Sequence, residues 1–587
     1  MKTSGKHRFA ALLAVGALAA SASACSSGGG DEKEEQGKPQ AKTAAVSVGT
    51  AADSKGPAPE IPGAKKGGVA GVLNRSGFSH LDPQRAYVSN LMTISELVSR
   101  RLTFYKKEGD KTTLVGDLAT DPGTTTDGGK TWKFTLKDNL KYEDGSPIVA
   151  ADVKYGVERS FHKAYNQGPK WVQQWLTGSE NYFEVYEGPF NGKELGPDKI
   201  EVPDAKTIIF KLTEPHPDFP FAVAMGTSSP MPKAKETKDD NDRKPFASGP
   251  YKVTTHEPDK ALVLDKNTNW DPATDAIRHQ YVDQFKFELG VTAPQQFQRL
   301  TAAAGSDAAA FTLNERPDAN FAQQIATDPA LKNRVTDAVG PYTNRWDINN
   351  KRITDVNVRK AMLTAFPRNS ARLAEGGPTA GDFANSLASV TQLGFAPYKS
   401  LFDGLPPDGD QAKAKQMLEA AGKVGQKVVF CFTTSKTQQE RALPIIDSLN
   451  KAGFQMERKE ISDKEYYDVI GKLDTPCDLY WAGWGADWPT GATVYTPVFD
   501  GRKIVDDGEN YSQYNNPSVN TEIDRILKIT DVNQQAVEWM KLDQKIMEDV
   551  PTIPYLYQRH RLVYGPQIGG AGLNIHGAID LHNVFVK

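Results

Sequence analysis

Cysteine is scarce in this chain: there are three, at positions 25, 431 and 477, in 587 residues. They leave room for one disulfide at most. The nine histidines include no pair four residues apart and no H-E-x-x-H, so nothing favours a metal site, and no cofactor is implied. G-x-S-x-G is also missing, which removes the commonest signature of a serine hydrolase. The stretch Gly123 to Thr131 (GTTTDGGKT) looks like a phosphate loop. It misses the Walker spacing by one residue, lies between strands and has no helix after it, so it reads as a hairpin turn. No charge of one sign dominates either. Lys and Arg number 70 against 73 Asp and Glu, a net charge of -3 with a pI near 6.4, which argues against nucleic acid as a partner.

Long apolar runs are lacking as well. The one candidate is Phe9 to Ala20, preceded by Lys2, Lys6 and Arg8 and followed by Ala22-Ser23-Ala24-Cys25. It is too short to cross a bilayer comfortably, and the order is that of a basic n-region, an apolar h-region and a small-residue cleavage site. An Ala-Ser-Ala-Cys ending resembles a bacterial lipobox, which implies a signal peptide over 1–24 and a lipid on Cys25. The alternative is ordinary secretion, cut at the same bond with a free thiol. The Gly-, Lys- and Glu-rich stretch that follows is expected to be a disordered spacer over 25–66. With Cys25 lipidated, Cys431 and Cys477 remain as an even pair in an oxidising compartment; a disulfide between neighbouring strands and two buried thiols are both open.

About 520 residues follow the spacer, enough for two or three domains. Trp132, Phe134 and Leu136 alternate with Lys133, Thr135 and Lys137, the period of a half-buried strand. Asp144-Gly145-Ser146-Pro147 then marks a turn, and Val153, Val157 and Phe161 share one helical face. Val358, Ala361, Met362, Ala365 and Phe366 form a second apolar stripe, which Pro367 should end. Between Asp410 and Ala482 helical faces alternate with strand-like runs, which implies βαβ units and a largely parallel sheet. Ligands of such sheets bind outside the carboxyl ends of the strands.

The strand, turn and helix of Leu114 to Phe161 resemble the most characteristic block of family 5 of the extracellular solute-binding proteins. Further blocks follow in family order: Leu81-Asp82-Pro83, Leu97 to Tyr105, Ser248-Gly249-Pro250-Tyr251, Val358-Arg359-Lys360-Ala361 and Pro551 to Tyr555. The resemblance implies an α/β, two-lobed periplasmic-binding-protein clamshell of type II with an inserted subdomain. Lobe I is expected over 67–105, 246–342 and 557–587, the inserted subdomain over 106–245, and lobe II over 343–556. It also implies a monomeric, non-enzymatic, lipid-anchored receptor on the extracytoplasmic face of a bacterial membrane, capturing oligopeptides for an ABC permease and its ATPase subunits. An oligosaccharide or other organic solute is the rival ligand, nickel a lesser one, and a secreted hydrolase the alternative from another class.

The richest local cluster is Tyr480 to Thr490 (YWAGWGADWPT), leaving a strand into a glycine-containing loop. In peptide-binding members a W-x-x-D at this place supplies the aspartate that pairs with the peptide α-ammonium, which by position is Asp487, with Trp484 beside it. Otherwise Asp487 braces its loop. Trp481, Trp484 and Trp488 form a possible aromatic wall, equally suited to a peptide side chain or a sugar face. Tyr342 and Arg345 fall where the chain crosses between lobes. Arg345 is a candidate for a ligand carboxylate, against a surface or interlobe ion pair.

Overall fold

The structure, a computed structural model, describes residues 45–109, 111–463, 465–506 and 508–587. The leader, Cys25 and the first part of the spacer lie outside them.

The alternation at Trp132 produces the strand Thr131–Thr135, antiparallel to Thr207–Lys211, which also pairs with Ile200–Glu201. Trp132 and Phe134 point inward while Lys133 is exposed. The helix Ala150–Arg159 lays Val153 and Val157 on the same core, which holds Phe210 and Phe219 as well. Each large apolar side chain buried there contributes roughly 1.5–3 kcal/mol.

A second core sits on a five-stranded sheet in the order Ala310–Thr312, Val69–Leu73, Gln284–Glu288, Ala261–Lys266, Tyr251–Glu257. Val69–Leu73 and Gln284–Glu288 are parallel neighbours. Parallel strands cannot be joined by a tight turn; here the connection between them carries all of the first core's buried apolar residues except Trp488. The C-terminal residues Leu562, Ile568 and Leu581 return to this second core.

The third core lies on a six-stranded sheet in the order Gly381–Phe383, Thr552–His560, Ala338–Ile348, Leu479–Gly485, Lys427–Thr433, Gln455–Ile461. Lys427–Thr433 is parallel to the strands on both of its sides, and no other pair in this sheet is parallel among the described residues. The expected largely parallel sheet is therefore confined to three strands. The others enter from the two ends of the lobe and pair antiparallel. Helices Gln411–Ala420 and Lys436–Lys451 cover the parallel part with Ala414, Leu418, Ala442, Ile445 and Leu449. The helix Val356–Ala365, whose first turn is capped by the Asp355 carboxylate, stops before Pro367, where a proline ring would clash with the preceding turn.

The disordered spacer does not extend to residue 66. Ala45–Val48 is an edge strand paired in parallel with Lys111–Gly116. The buried Ser54 hydroxyl donates to Thr50 O at 2.8 Å and accepts from Gly116 N at 2.8 Å. Tyr281 Oη accepts from Ile61 N at 3.0 Å and donates to Glu60 at 2.8 Å. The polar composition hid a short β-forming A-V-S-V segment whose backbone groups complete a sheet edge. The first core also begins earlier than residue 106, since Leu102, Phe104 and Tyr105 belong to it.

Cys431, in the strand Lys427–Thr433, is joined to Cys477, two residues before the neighbouring strand; their Cα atoms are 5.7 Å apart and both are fully buried. The bond closes a 46-residue separation, so in the chain-entropy account it stabilises this lobe by about 4 kcal/mol. The Cys431→Ser, Cys477→Ser double variant is expected to unfold at clearly lower denaturant than the parent without reductant, and at the same point as the reduced parent. Equal midpoints without reductant would show that the bond contributes nothing.

Candidate functional site

The strand Ala338–Ile348 runs antiparallel to Leu479–Gly485, with Tyr342 opposite Gly485, Thr343 opposite Trp484, Arg345 opposite Ala482 and Trp346 opposite Trp481. This register brings together two groups of candidate residues that are far apart in sequence. Gly485 has to be glycine: a Cβ there would stand 2.4 Å from the Tyr342 ring. The close approach leads the chain directly into the loop that carries Asp487.

Asp487 is partly buried and holds no cation. The Tyr87 hydroxyl donates to its carboxylate, 2.8 Å from each oxygen, and the Trp171 indole N–H donates to Oδ2 at 2.6 Å. Both donors are neutral, and no Lys, Arg or His side chain lies within ion-pairing distance among the described residues. Loss of solvent pushes its pKa up from 3.8 to about 6; the Trp171 and Tyr87 bonds pull against this, the charge of Glu509 adds to it, and His576, itself bonded to Glu96 at 2.7 Å, opposes it from a distance. Burial and the adjacent carboxylate also push the Tyr87 phenol well above its usual range. A carboxylate so held is a strong acceptor that has lost its water without gaining a counter-charge.

The other candidates divide. Trp488 is 1% exposed and sits in the first core, its ring edge-on to Trp171 and Trp175 at 5.1 and 5.9 Å. Its indole N–H donates to Asp218 Oδ2 at 2.9 Å, and the Thr490 hydroxyl donates to the same oxygen at 2.6 Å. It plugs one body with a side chain from another and presents no face to a ligand. Trp484 is half-buried and donates its N–H to Thr493 O at 2.6 Å. Trp481 is half-buried, with the Arg441 guanidinium 5.8 Å from its ring centroid. Tyr342 is half-buried and stacks on His560 at 6.0 Å. Arg345 is 4% exposed and bonds Asp347 through Nε at 2.8 Å and Nη2 at 3.3 Å. It is therefore neither a surface pair nor open to a ligand carboxylate. Residues two apart on a strand share a face, and the carboxylate there takes the Nε and Nη2 donors.

Three contributors escaped the sequence. Tyr87 and Trp171 come from segments 400 and 316 residues before Asp487, and Glu509 from a loop beyond it. Trp171 and Trp175, one helical turn apart, carry only the pattern of an apolar helix face.

Residues 113–505 match the sequence profile of the bacterial extracellular solute-binding proteins, family 5 Middle. The chain is 24% identical over 510 residues to the periplasmic murein peptide-binding protein MppA of Escherichia coli, covering 84% of this chain and 88% of that protein. It is 24% identical over 489 residues to the periplasmic oligopeptide-binding protein OppA of Salmonella typhimurium, covering 78% of this chain and 81% of that one. Among solved structures, clavulanic acid biosynthesis oligopeptide binding protein 2 superposes with a TM-score of 0.81 at 27% identity, covering 89% of this chain and 96% of its own. The architecture is the two-lobed α/β clamshell of these binding proteins.

The raised pKa of Asp487 has a consequence for the ligand-free protein. Its carboxyl binds a proton more tightly folded than unfolded, so it contributes stability below pH 4 that is lost as pH rises through about 6. Asp487→Asn, which never ionises, is expected to be about 2–3 kcal/mol more stable than the parent at pH 7.5. The gap should close towards pH 4. Thermal unfolding of both proteins across that range checks it; a pH-independent difference would place the carboxylate in an ordinary solvated setting.

Proposed function

The chain belongs to the bacterial extracellular solute-binding proteins of family 5, and from that premise we propose that it captures oligopeptides outside the cytoplasm and delivers them to an ABC permease. The protein is not an enzyme: it binds and releases its ligand unchanged. The observation that carries the peptide reading is Asp487, a desolvated carboxylate bonded only to a phenol and an indole. A peptide α-ammonium supplies the missing charge and three further donors. The peptide-binding names of the murein-peptide and oligopeptide relatives support the same ligand class. A sugar-binding reading loses Trp488, which is buried in the first core, and gives the unpaired carboxylate of Asp487 no counter-charge. Trp481 and Tyr342, which share one face of the strand pair, then border the peptide site, while Trp484 stands on the opposite face beside the loop of Asp487. Closure of the lobes about the ligand by hinge motion excludes water from the contact.

In this reading residues 1–24 are removed on export and Cys25 is lipidated, holding the receptor to the extracytoplasmic face of the membrane as a monomer. Cys25→Ala is expected to release the protein into the medium or leave it as uncleaved precursor. Membrane retention unchanged by that substitution refutes lipidation at this residue.

Asp487→Asn preserves shape and removes charge. It is expected to weaken peptide binding by about 2–5 kcal/mol, because the ligand ammonium is left desolvated and unpaired. Acetylating the peptide N-terminus should cost the parent a similar amount and the variant little more, the non-additivity of one shared contact. Calorimetric titration of both proteins with both peptides decides it. Small, equal losses would assign Asp487 to bracing its loop.

A further inference from the structure

The loop that carries Asp487 is fastened at both ends to one body and reaches into another. Gly485 closes on the Tyr342 ring, and Gly491 is pressed against Trp539, where a Cβ would stand 2.2 Å from the indole. Trp539, Ala492 and Tyr495 belong to the third core. The loop backbone is tied to the same side: Leu393 N donates to Pro489 O at 2.8 Å, and the Thr493 hydroxyl donates to Trp488 O at 2.9 Å. Residues 486–490 therefore move with the third core.

Their side chains point the other way. The Trp488 indole is sunk in the first core against Trp171 and Trp175. Trp488 and Thr490 both donate to Asp218 Oδ2 there. Trp171 also donates to Asp487, so one indole touches both the plug and the unpaired carboxylate. Asp218 is 3% exposed, and its Oδ1 has no partner. Burial pushes its pKa up, opposed only by those two neutral donors.

The body of the first core hangs from the second between Val69–Leu73 and Gln284–Glu288, and the second is joined to the third through Ala338–Ile348 and Thr552–His560. Opening about those two strands separates the first core from the third, which draws Trp488 out of its seat. A carboxylate bonded to an N–H and an O–H, with no ion pair, is suited to that, because water replaces both donors on withdrawal. Another contact crosses the same gap, the ion pair of Lys503 with Glu180, and both its side chains reach solvent.

We propose that Trp488 and Asp218 are positioning residues for Asp487: they bolt the closed cleft and hold the carboxylate against Tyr87 and Trp171, without touching the ligand. The proposal rests on the reading of Asp487 as the ligand contact. Asp218 serves as an acceptor and not as a charge, so an amide oxygen can replace it.

The test reads closure and binding separately on the purified full-length protein. Carbodiimide coupling joins Glu180 to Lys503 only while their bodies are together, and Glu201 with Lys211, 2.6 Å apart within the first body, serves as the internal standard. Without peptide, Asp218→Leu is expected to slow the Glu180–Lys503 coupling at least about tenfold against that standard, and Trp488→Phe and Thr490→Val about threefold each. Asp218→Asn should stay within about twofold of the parent. An unaltered standard shows that the first body is folded, and Thr490→Val, which keeps size and shape, covers an Asp218→Leu protein that is not. Calorimetric titration with a mixed tripeptide library then checks the link to binding. Because only closed molecules hold the ligand, each variant should lose affinity by the factor by which its coupling slows, for free and N-acetylated peptides alike. Coupling unchanged in Asp218→Leu and Thr490→Val overturns the bolt and leaves the peptide reading intact. So does a loss in Asp218→Asn as large as in Asp218→Leu, which would make the carboxylate a charge. Slower coupling with unchanged affinity overturns the positioning role. Slower coupling with no binding of the library keeps the bolt and overturns the peptide reading.

Discussion

Two strands carry the chain between bodies, and their pairing determines where everything else in the site can be. Ala338–Ile348 and Thr552–His560 run antiparallel. At one end Ala338 packs against the second core; at the other Trp346, Ile348, Ile553 and Leu556 are buried in the third. The ladder is irregular between Val339 and Thr343, so the strand bends beside Gly340, Pro341 and Tyr342. Tyr342 lies on the first of them, stacked on His560 of the second, and Gly485, which leads to Asp487, is fixed against Tyr342 by the next strand. The residues proposed to meet the ligand therefore gather where the two bodies share backbone, and a small change of angle there moves them together.

Burial alone does not distinguish structural from functional charge in this protein; compensation does. Asp117 is fully buried, but Arg278 and Arg100 bond both its oxygens, at 2.8–3.0 Å, and Asp275 shares Arg278. Its pKa is held far below the usual range, with the two arginines outweighing desolvation. That network ties the helix ending at Val98 to the residues after Trp270 and is closed. Asp487 is bonded as well, but only to neutral partners. Taking a charge out of water without an opposite one costs the folded protein free energy, and a ligand carrying the complementary charge recovers it.

Much of the fold was legible from period and punctuation. Trp132, Phe134 and Lys133 faced the way alternation required, and Pro367 ended its helix. Cys431 and Cys477 stand at bonding distance. These features depend on local rules, or on a count of three cysteines. What failed depended on company. Trp481, Trp484 and Trp488 look alike in sequence, yet Trp488 alone meets Asp218, Trp171 and Trp175, which no local pattern could place beside it. Arg345 has its acid two residues along the same strand, a proximity visible in sequence once strand and register are known. The polar composition before residue 66 suggested a spacer because Val46 and Val48 are too few to register against the lysines and glutamates around them.

The order found from Ala45 onward shortens the leash. If Cys25 carries the lipid, twenty peptide units separate it from the first strand residue, Ala45. Covalent geometry limits any twenty-residue stretch to no more than about 70 Å. Ala45–Val48 is clamped to the body of the first core, so a lipid on Cys25 would hold that body within the reach of those twenty residues. Asp487 is bonded to Tyr87 and Trp171, which pack on that same core. Such a receptor works within a thin layer above the bilayer, where confinement raises its effective concentration at a permease in the same membrane.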